Sequence, residues 1–292
     1  MYDVIIIGGG PAGCAAAVYT ARKKLKTLLL TESFGGQSIV SDDIQNWIGE
    51  LHISGFDLAK KFEAHVRAFA DMIDIKSPEK ATDIKSINCL PVRQNNVEDS
   101  LEKICEFEIK TNTGETYQGK TLILAIGARH KRLGIPGEDR LDGKGVAYCS
   151  TCDAPIFAGK KVAVVGGGNS GLEAGIDLFP YAEKIYILEY ADTLKGDPVT
   201  QEELRKNPKV EIITSAESKE VLGDKFVSGL KYLDRHTNQE KILEVEGVFV
   251  EIGAIPNSEM VKGLVDLDKY GQVMVDSKWG TTSHPGIFAA GD

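Results

Sequence analysis

The chain has 292 residues, of which 42% are hydrophobic, and a formal net charge of -9 at pH 7. This size and composition predict two ordinary hydrophobic cores and no disorder, and the acidic balance argues against a nucleic-acid partner, which needs a concentrated basic face. Residues 1–7 lack the basic start of a signal peptide, no apolar run is long enough to span a bilayer, and an odd number of cysteines does not suggest a secreted disulfide framework. We therefore expect a cytoplasmic protein that binds neither membrane nor nucleic acid.

The first predicted element is a buried strand at residues 4–7, which ends in a glycine fingerprint, Gly8, Gly10 and Gly13. Its continuous, β-branched apolar run is typical of a parallel strand buried on both faces. In such a fingerprint the first glycine makes the tight turn, the second lets the backbone approach a pyrophosphate, and the third lets helix and strand pack closely. Unpaired N–H groups of the next helix would bind the phosphates, and Pro11 removes none that the helix needs.

An acidic residue follows at the distance that dinucleotide sites require. Glu32 lies about 20 residues beyond the fingerprint, just past a predicted strand at residues 27–30. A carboxylate in this place accepts a hydrogen bond from a ribose hydroxyl. The strand, the helix and the acid together predict a dinucleotide site rather than a plain glycine turn.

Residues 131–145 are rich in glycine, proline and charge. Such a stretch is typical of a linker rather than of a core. We therefore place a domain boundary near residue 131.

Two cysteines, Cys149 and Cys152, follow with two residues between them. Structural zinc needs four ligands, and no second CxxC or paired His/Cys cluster occurs in the sequence, so we expect no metal site. Two sulfurs one turn apart can instead close a disulfide, and the thiol pKa in such motifs falls towards neutrality. The sequence leaves two roles open for Asp153, which could exchange a proton with the thiolate or could begin a helix.

The other three cysteines, Cys14, Cys89 and Cys105, lie beside no residue that would activate a thiolate. We expect them to be small buried hydrophobic side chains without a redox role.

The chain contains an internal repeat. Residues 3–13 and 161–171 match over one whole strand and turn, and each copy has a later strand with a similar end, at residues 122–128 and 248–254. The repeat predicts two nucleotide-binding units, each with its own closing strand.

The second fingerprint, at residues 166–171, also has an acidic residue after its next strand, Glu189. A carboxylate there accepts from a ribose 2′-OH but repels a 2′-phosphate, which would require arginine. Residues 190–192 supply no cation, and we expect Lys195 to be a solvated loop side chain. The sequence therefore favours NADH over NADPH.

Motifs spread over the whole chain resemble those of the thioredoxin reductase family. They are GGGPAG at 8–13, FGGQ at 34–37, QNW at 45–47, YCSTCD at 148–153, GGGNSG at 166–171, IGAIPN at 252–257 and GIFAAGD at 286–292. Within that family ESFGGQ, GLEAGIDL and LEYADTLKGD resemble the flavoprotein branch of the alkyl hydroperoxide reductases. The NADPH branch has a histidine and two arginines where this chain has Glu189, Tyr190 and Ala191, which agrees with the inference of NADH.

The resemblance implies an α/β fold of two Rossmann-like, three-layer dinucleotide-binding domains, the second inserted into the first. The FAD-binding domain would comprise residues 1–130 and 254–292, and the pyridine-nucleotide-binding domain residues 131–253, with the CxxC pair. In the family one domain rotates, because one flavin face cannot meet nicotinamide and dithiol at once, so we expect hinges near Lys131 and Gly253.

The resemblance also implies a homodimeric NAD(P)H-dependent disulfide reductase of the thioredoxin-disulfide type, in which NADH reduces FAD and FAD reduces the disulfide. Cys152 would face the flavin, Cys149 would attack the disulfide of a small thioredoxin-like or peroxiredoxin-linked protein, and Asp153 would be the acid/base. The implied FAD contacts are Gly8, Gly10, Pro11, Ala12, Gly13, Glu32, Gly36, Gln37, Asn46, Gly127 and Asp292, and the implied pyridine-nucleotide contacts are Gly166, Gly168, Asn169, Ser170, Gly171, Glu189, Ile252 and Gly253.

Three features depart from the family pattern. Ala154 replaces the glycine usual after the CxxC aspartate, which we expect to tighten the active-site turn. The chain begins at the FAD strand, so we expect no tandem thioredoxin-like domain and a separate acceptor protein. It stops at residues 290–292, where the family continues into a helix that faces FAD, so we expect a C-terminally truncated sequence, whose flavin affinity would be poor if the chain is complete.

Two other kinds of function stay open at this point. A flavin-dependent dithiol oxidase or a ferredoxin-fed thioredoxin reductase would not need NADH, and the second fingerprint with Glu189 argues against both. A non-catalytic flavin module that senses redox state or docks a partner is the other alternative, and the CxxC pair argues against it.

Overall fold

The computed structural model describes residues 1–41, 44–45, 47–93 and 101–292. The chain separates into two compact units. The first comprises Met1–Val40, Ile53–Arg129 and Ile255–Asp292, and the second Ser41–His52 and His130–Ala254. Most of the second unit is thus inserted between two parts of the first.

One stretch, residues 41–52, groups with the second unit, whereas the sequence assigned it to the first domain. It leaves the first sheet after a short 3-10 helix, Gly36–Val40, and adds no strand to that sheet among its described residues. Its described residues therefore group with the inserted part of the chain.

Strands outnumber helices among the described residues. In chain order the strands are β1 (Tyr2–Gly9), β2 (Thr27–Phe34), β3 (Ile73–Lys76), β4 (Ala81–Arg93), β5 (Leu101–Thr111), β6 (Thr116–Leu124), β7 (Ala128–His130), β8 (Val146–Ala147), β9 (Lys161–Val165), β10 (Lys184–Leu188), β11 (Val210–Ile213), β12 (Ala216–Gly223), β13 (Val227–Asp234), β14 (Gln239–Leu243), β15 (Gly247–Val250), β16 (Ala254–Pro256) and β17 (Ile287–Ala289). The helices are α1 (Pro11–Arg22), α2 (Gly55–Arg67), α3 (Ser150–Asp153), α4 (Asn169–Asp177) and α5 (Pro198–Lys206), with 3-10 helices at Gly36–Val40, Ala154–Phe157 and Glu259–Val261. No helix in the described ranges is long and apolar enough to cross a membrane.

The first unit is organised around one sheet in the order β3-β2-β1-β6-β5-β4, with β17 also paired to β6. The strands β3, β2, β1, β6 and β17 are parallel, and β4 and β5 extend the sheet antiparallel. Val4 and Ile6 of β1 pack with Ala17 of α1 on one face. On the other face Ile5 belongs to a core with Val261 and Val265, from the segment between β16 and β17. The strand is therefore buried on both faces, as its apolar run predicted.

The second unit has a parallel sheet in the order β11-β10-β9-β15-β8. One face packs against helices, with Val162 and Val164 of β9 in contact with the core around Leu172 of α4. The other face packs against the antiparallel meander β12-β13-β14, where Val165 shares a core with Leu230. Each unit therefore has the predicted three-layer, Rossmann-like arrangement.

The predicted linker belongs to the core of the second unit, so its interpretation as a segment outside any core is wrong. Leu141 is fully buried with the meander. The carboxylate of Glu138, only 1% exposed, accepts hydrogen bonds from the N–H groups of Leu133 and Gly134 at 2.9 and 2.7 Å. It also accepts the hydroxyl of Tyr148 at 2.9 Å. These bonds hold the glycine- and proline-rich chain against the sheet.

The three cysteines outside the CxxC motif behave in two ways. Cys14 is buried and free, and burial raises the pKa of its thiol to about 12. Cys89 and Cys105 are joined by a disulfide across β4 and β5, and Cys89 is exposed. The prediction of three buried bystanders is therefore wrong for this pair, because strand pairing brings together cysteines that are 16 residues apart.

Candidate nucleotide and dithiol sites

Two of the three glycines in each fingerprint are required by the protein itself. Gly8 has a φ of 113°, in the left-handed region, and a Cβ there would overlap the carbonyl oxygen of Ala125. A Cβ on Gly13 would overlap the carbonyl oxygen of Gly8, because α1 lies against the end of β1. The second copy repeats both features, with a φ of 128° at Gly166 and with Gly171 against its carbonyl.

The middle glycine of each fingerprint has room for a side chain. A Cβ on Gly10 would meet its nearest protein atom, the Cα of Gly36, at 3.7 Å, and a Cβ on Gly168 would have no atom within 4 Å. These glycines are the N-caps of α1 and α4, and neither helix start is capped by a side chain. Open space and N–H groups that the helix does not use therefore lie together, which is the arrangement that binds a phosphate.

Implied FAD contacts from distant parts of the first unit meet near the start of α1. The amide Nε2 of Gln37 lies 3.5 Å from Oδ2 of Asp292, to which it donates. A Cβ on Gly291 would lie 3.2 Å from the Cβ of Ala12, and one on Gly36 would lie 3.1 Å from the Cα of Gly10. Residues 36–37 and 291–292 thus lie beside the first glycine turn.

Two further implied FAD contacts are separate from this group. Gly127 follows β6 with a left-handed φ of 63°, and its carbonyl oxygen accepts the N–H of Asn257 at 3.0 Å. Asn46 lies outside the described residues, so its contact stays a prediction.

Glu32 lines a cavity of about 450 Å³ in the first unit, together with Gly8. The strand β2 continues to Phe34, so Glu32 belongs to the strand rather than following it. The register between β1 and β2 shifts at this point, and the exposed carboxylate of Glu32 pairs with Lys80 at 3.1 Å. A ribose hydroxyl would therefore share this carboxylate with a lysine.

A cavity of about 600 Å³ opens at the second glycine turn. Its lining includes the implied pyridine-nucleotide contacts Gly166, Gly168, Asn169, Ser170, Glu189, Ile252 and Gly253. Gly171 is the implied contact that does not line it, since it packs against Gly166 instead. The side-chain oxygen of Asn169 accepts the N–H of Asp197 at 2.8 Å, which ties the start of α4 to the start of α5.

The carboxylate of Glu189 is held by two backbone donors. The N–H of Gly167 donates to Oε2 at 2.6 Å, and the N–H of Ala191 donates to Oε1 at 2.8 Å. A Cβ on Gly167 would lie 2.7 Å from Oε2, so this glycine is needed for the contact. Each carboxylate oxygen has a second lone-pair site, which leaves Glu189 able to accept ribose hydroxyls.

A neighbouring cavity of about 490 Å³ shares the lining residues Tyr190 and Lys195 with the 600 Å³ cavity. Arg235 lines it, with its guanidinium 4.1 Å from the centre of the Tyr190 ring and its Nη1 donating to the Tyr190 carbonyl oxygen at 2.9 Å. The sequence analysis missed Arg235, because it arrives 45 residues later, from the turn after β13.

Cys149 and Cys152 are joined by a disulfide at the short helix α3. Cys149 is the N-cap of α3, and its carbonyl oxygen accepts the N–H of Asp153 at 3.0 Å. Asp153 ends α3, and its side chain makes no capping hydrogen bond to the 3-10 helix that follows. Asp153 is the N-cap residue of that 3-10 helix, so both interpretations of this residue, as an acid/base and as a helix-start residue, stay predictions. Ala154 has a φ of -52°, which any residue adopts, so the loss of the family glycine causes no strain.

A partly buried carboxylate, Glu251, lies between the dithiol helix and the second glycine turn. It lines the 600 Å³ cavity, and its carboxylate accepts the backbone N–H of Ser150. Burial, reinforced by the negative charges of Asp177 and Glu173, raises the pKa of Glu251 to about 7. Asp177 itself accepts the hydroxyl of Ser150 at 2.8 Å. A group that titrates near neutrality thus adjoins both the dithiol helix and the cavity.

The internal repeat contains a signal for Glu251 that the sequence analysis did not use. The closing strands read LILAIGA and VFVEIGA, so Glu251 stands where the first copy has Ala125. In the structure the carbonyl oxygens of Ala125 and Glu251 face the equivalent glycines, Gly8 and Gly166. A charged residue in an otherwise apolar closing strand is the departure that marks the position.

A known family of proteins matches nearly the whole chain. The sequence profile of the family described as pyridine nucleotide-disulphide oxidoreductase matches residues 2–292. The chain belongs to this family. The resemblance to thioredoxin reductases inferred from the motifs is confirmed by solved structures of other members. A thioredoxin reductase from Streptococcus pyogenes is 34% identical with a TM-score of 0.82, over all of this chain and 89% of its own. One from T. acidophilum is 37% identical with a TM-score of 0.65, over all of this chain and 90% of its own.

Curated members of the pyridine nucleotide-disulphide oxidoreductase family are also similar over the whole chain. A Bacillus subtilis protein named NADH dehydrogenase is 43% identical over 291 residues, which is 53% of its length. A component of the alkyl hydroperoxide reductase of Pseudomonas aeruginosa is 43% identical over 293 residues, also 53% of its length. The chain spans about half the length of these curated relatives.

Most of the described sequence-predicted residues of this family member lie at the two glycine turns or in the CxxC motif, and Gly127 is an exception. Within the described residues no group of three or more His, Cys, Asp or Glu side chains could hold a metal ion. The residues that sequence reasoning missed, Gly167, Asp177, Arg235 and Glu251, all belong to the second unit. They act through contacts between elements that are distant in the sequence.

Proposed function

We propose that this chain is an NAD(P)H-dependent flavoprotein disulfide reductase of the thioredoxin reductase type. It would bind FAD at the first glycine turn and NADH at the second, and would pass electrons through the Cys149–Cys152 disulfide to a small disulfide-containing protein. When bound, FAD would supply the two-electron chemistry between the reduced nicotinamide and this disulfide.

The observation that carries the proposal is that the second unit contains both a disulfide-bonded CxxC and an open glycine turn, with free space at Gly168. The two glycine turns fit dinucleotides, because Gly10 and Gly168 leave open space at the starts of α1 and α4. The protein itself has room for a side chain at both positions, so the space is available to a phosphate. For FAD, the residues around α1 that would hold the cofactor include Gln37 and Asp292, which already contact each other.

The proposed preference for NADH rests on the charge and position of Glu189. Its carboxylate is oriented by the N–H groups of Gly167 and Ala191, so it cannot turn away from a 2′-phosphate without losing both bonds. Two cations line the neighbouring cavity: Arg235 is engaged with Tyr190, and Lys195 is exposed to solvent. A relative named NADH dehydrogenase supports the same choice.

We assign the residues of the dithiol as the family resemblance implies. Cys152 would receive electrons from the flavin, and Cys149 would attack the acceptor disulfide. Asp153 would hold or move the proton of the thiol. Glu251 is a further carboxylate beside α3, near enough to favour the protonated form of a thiol there. The relatives named as thioredoxin reductases and as alkyl hydroperoxide reductase components support a thioredoxin-like or peroxiredoxin-linked acceptor. The homodimer is part of the proposal because the family resemblance implies it.

An anaerobic half-reaction tests the proposal. The protein is loaded with FAD, mixed separately with NADH, NADPH and reduced ferredoxin, and followed by flavin absorbance; a thioredoxin-like disulfide protein is then added. We expect NADH to bleach the flavin at least about tenfold faster than NADPH, since a repelled phosphate costs about 1.4 kcal/mol or more.

The variants of the dithiol then separate the two cysteine roles. Cys149→Ser should keep flavin reduction and stop transfer to the acceptor. Bleaching by reduced ferredoxin alone would favour the ferredoxin-fed alternative, and no bleaching by any donor would favour a non-catalytic flavin module. Either result would overturn the proposal.

A further inference from the structure

A second disulfide lies in the first unit, at an interruption of the β4–β5 ladder. Cys89 of β4 is bonded to Cys105 of β5. The register shifts between Ile87 and Leu90, so that Asn88 and Cys89 together oppose Cys105. This is the arrangement of a β-bulge, in which two residues of one strand face one of the other. The disulfide therefore bridges a break in the regular ladder.

The two sulfurs differ in their access to solvent. Cys89 is exposed, whereas Cys105 is only 5% exposed. The strand β4 stands at the end of the described sheet order, so no further strand covers Cys89 from that side. A thiolate attacks one sulfur of a disulfide in line with the other, and only the Cys89 sulfur offers that approach from solvent. Cys89 is therefore the sulfur attacked, and Cys105 is the leaving group.

The bulge has support that does not depend on the disulfide. Asn88 has a left-handed φ of 49°, and its Nδ2 donates to Oε2 of Glu106 at 2.7 Å. Asparagine tolerates this conformation better than most residues. The strands also pair on both sides of the bulge. After reduction the two thiols therefore stay close together, and the bond can form again.

This proximity determines which kind of reductant can open the bond. A monothiol that attacks Cys89 forms a mixed disulfide, which the nearby Cys105 thiol attacks in turn, and the monothiol is expelled. A dithiol instead resolves the mixed disulfide with its own second sulfur. The geometry thus selects dithiols over monothiols.

We propose that Cys89 and Cys105 form a second thiol-exchange site, which takes two electrons from a dithiol of a protein or a small molecule. A donor thiolate attacks Sγ of Cys89, the Cys89–Cys105 bond breaks, and Cys105 leaves as a thiolate that takes a proton from water. The second donor thiolate then attacks the donor sulfur of the mixed disulfide and releases Cys89. The donor ends as a disulfide and the protein as two thiols. This site is separate from the dithiol of the proposed function and does not depend on it.

Thiol labelling of the folded protein tests the site. In a Cys149→Ser, Cys152→Ser background, the oxidised protein is exposed anaerobically to dithiothreitol, to reduced thioredoxin, or to glutathione at equal thiol concentration. It is quenched with a maleimide, and the labelled peptides are identified by mass spectrometry. We expect both cysteines to be labelled at least about tenfold faster with a dithiol than with glutathione, because only the dithiol completes the exchange. Buried Cys14 is the internal control and should stay unlabelled.

Three results would overturn the proposal. One is protection of both cysteines from all reductants until denaturant unfolds the protein, which would make the bond a structural crosslink. Another is the finding of two free thiols in air-oxidised protein. Labelling that is no faster with dithiols than with glutathione would contradict the proposed selection. Dithiothreitol that works where thioredoxin fails would restrict the site to small dithiols.

Single variants test the assigned roles of the two sulfurs. Cys105→Ser leaves the exposed thiol, so we expect it to hold one glutathione as a stable mixed disulfide when oxidised glutathione is added. Cys89→Ser leaves the buried thiol and should hold none. The reverse pattern would contradict the assignment. If either variant fails to fold, the background protein is treated briefly with glutathione and acid-quenched, and mass spectrometry shows which cysteine carries the mixed disulfide; glutathione on Cys105 would contradict the assignment.

Discussion

At the scale of single residues, the glycines of each fingerprint divide into those that the fold needs and those that it does not. Gly8 and Gly13 leave no room for a Cβ because backbone carbonyls fill the space. Gly10 has only an ordinary van der Waals neighbour at its Cβ position. Substitutions can therefore distinguish loss of the fold from loss of a ligand.

Alanine at these positions gives the first prediction. Gly13→Ala places a methyl group on the Gly8 carbonyl, so we expect the free energy of unfolding to fall by at least about 2 kcal/mol. Gly10→Ala should lower it by no more than about 1 kcal/mol, the cost of alanine at an N-cap, but should weaken FAD binding at least about tenfold, because the methyl group would occupy the pyrophosphate position. Urea unfolding of the FAD-free proteins and fluorescence titration with FAD measure the two effects. Unchanged FAD affinity in Gly10→Ala would show that the first glycine turn is not the phosphate site.

The partly buried carboxylate of Glu251 predicts a dependence of stability on pH. Its pKa is about 7 in the folded protein, against an ordinary value of 4.5. Between these values the folded state keeps a proton that the unfolded chain has lost, so stability falls as the pH rises from about 4.5 to about 7 and then stays lower. We expect this loss to be roughly 1–2 kcal/mol, since partial exposure screens the charge.

The variant Glu251→Gln isolates this contribution. Glutamine keeps an acceptor for the Ser150 N–H but cannot ionise, so the variant should be more stable than wild type at pH 8 and should approach it near pH 4.5. Urea unfolding at both pH values measures the difference. Glu183→Gln, at an exposed position of the same unit, is the control and should follow the wild type. If Glu251→Gln also follows the wild type at both pH values, the carboxylate does not hold a proton in the folded state.

At the scale of elements, the antiparallel meander β12-β13-β14 both covers the second sheet and supplies a residue to the nucleotide cavities. Leu230 of β13 packs with Val165 of the sheet. The turn that follows β13 places Arg235 on Tyr190, at the edge shared by the two cavities. The covering layer is thus also part of the proposed nucleotide site.

Arg235 gives a prediction that depends on which part of the nucleotide is present. We expect Arg235→Ala to raise the KM for NADH by roughly 2- to 30-fold, because a cation–π contact contributes about 0.5–2 kcal/mol and orders Tyr190 beside the adenosine half. Reduced nicotinamide mononucleotide lacks that half, so its KM should not change. Steady-state reduction of an artificial acceptor measures both. Arg235→Lys keeps the charge without the planar stacking, so its KM for NADH should lie between those of the wild type and Arg235→Ala. An equal rise in the KM for the mononucleotide would show that Arg235 does not act on the adenosine half.

The sequence predicts the elements that follow local rules and misses those that depend on distant pairing. The strand at 4–7, the glycine turns and α1 and α4 follow from apolar periodicity and glycine spacing. The meander β12-β13-β14 and the antiparallel pair β4–β5 do not follow from such rules, because their register depends on pairing between strands. The disulfide of Cys89 and Cys105 could therefore not be foreseen. Glu32 was placed beyond β2, since nothing local reveals that the strand continues through a register shift.

At the scale of the whole molecule, each unit has its own hydrophobic cores. The two clusters of the second unit contain residues between Leu133 and Ile252 only. The two clusters of the first unit contain none of them. Each set of side chains is therefore buried by its own unit.

An isolated fragment tests this independence. We expect residues 130–254, expressed alone, to unfold cooperatively and to bind NADH, because the cores that bury their apolar side chains and the cavity at the second glycine turn lie within that range. Thermal unfolding by circular dichroism and NADH fluorescence titration check the two properties. A fragment that binds hydrophobic dyes and melts without a transition would contradict it. The Glu189→Ala fragment is the matched control, since it should fold but bind NADH more weakly.

The equivalence of Ala125 and Glu251 bears on how such a duplicated fold can diversify. In both copies the contact with the first glycine is made by a backbone carbonyl, which is the same for every amino acid. The scaffold therefore does not dictate the side chain at this position, and one copy has a methyl group where the other has an ionisable acid. After duplication, a chain can change the chemistry beneath one cavity at this point without altering the turn above it.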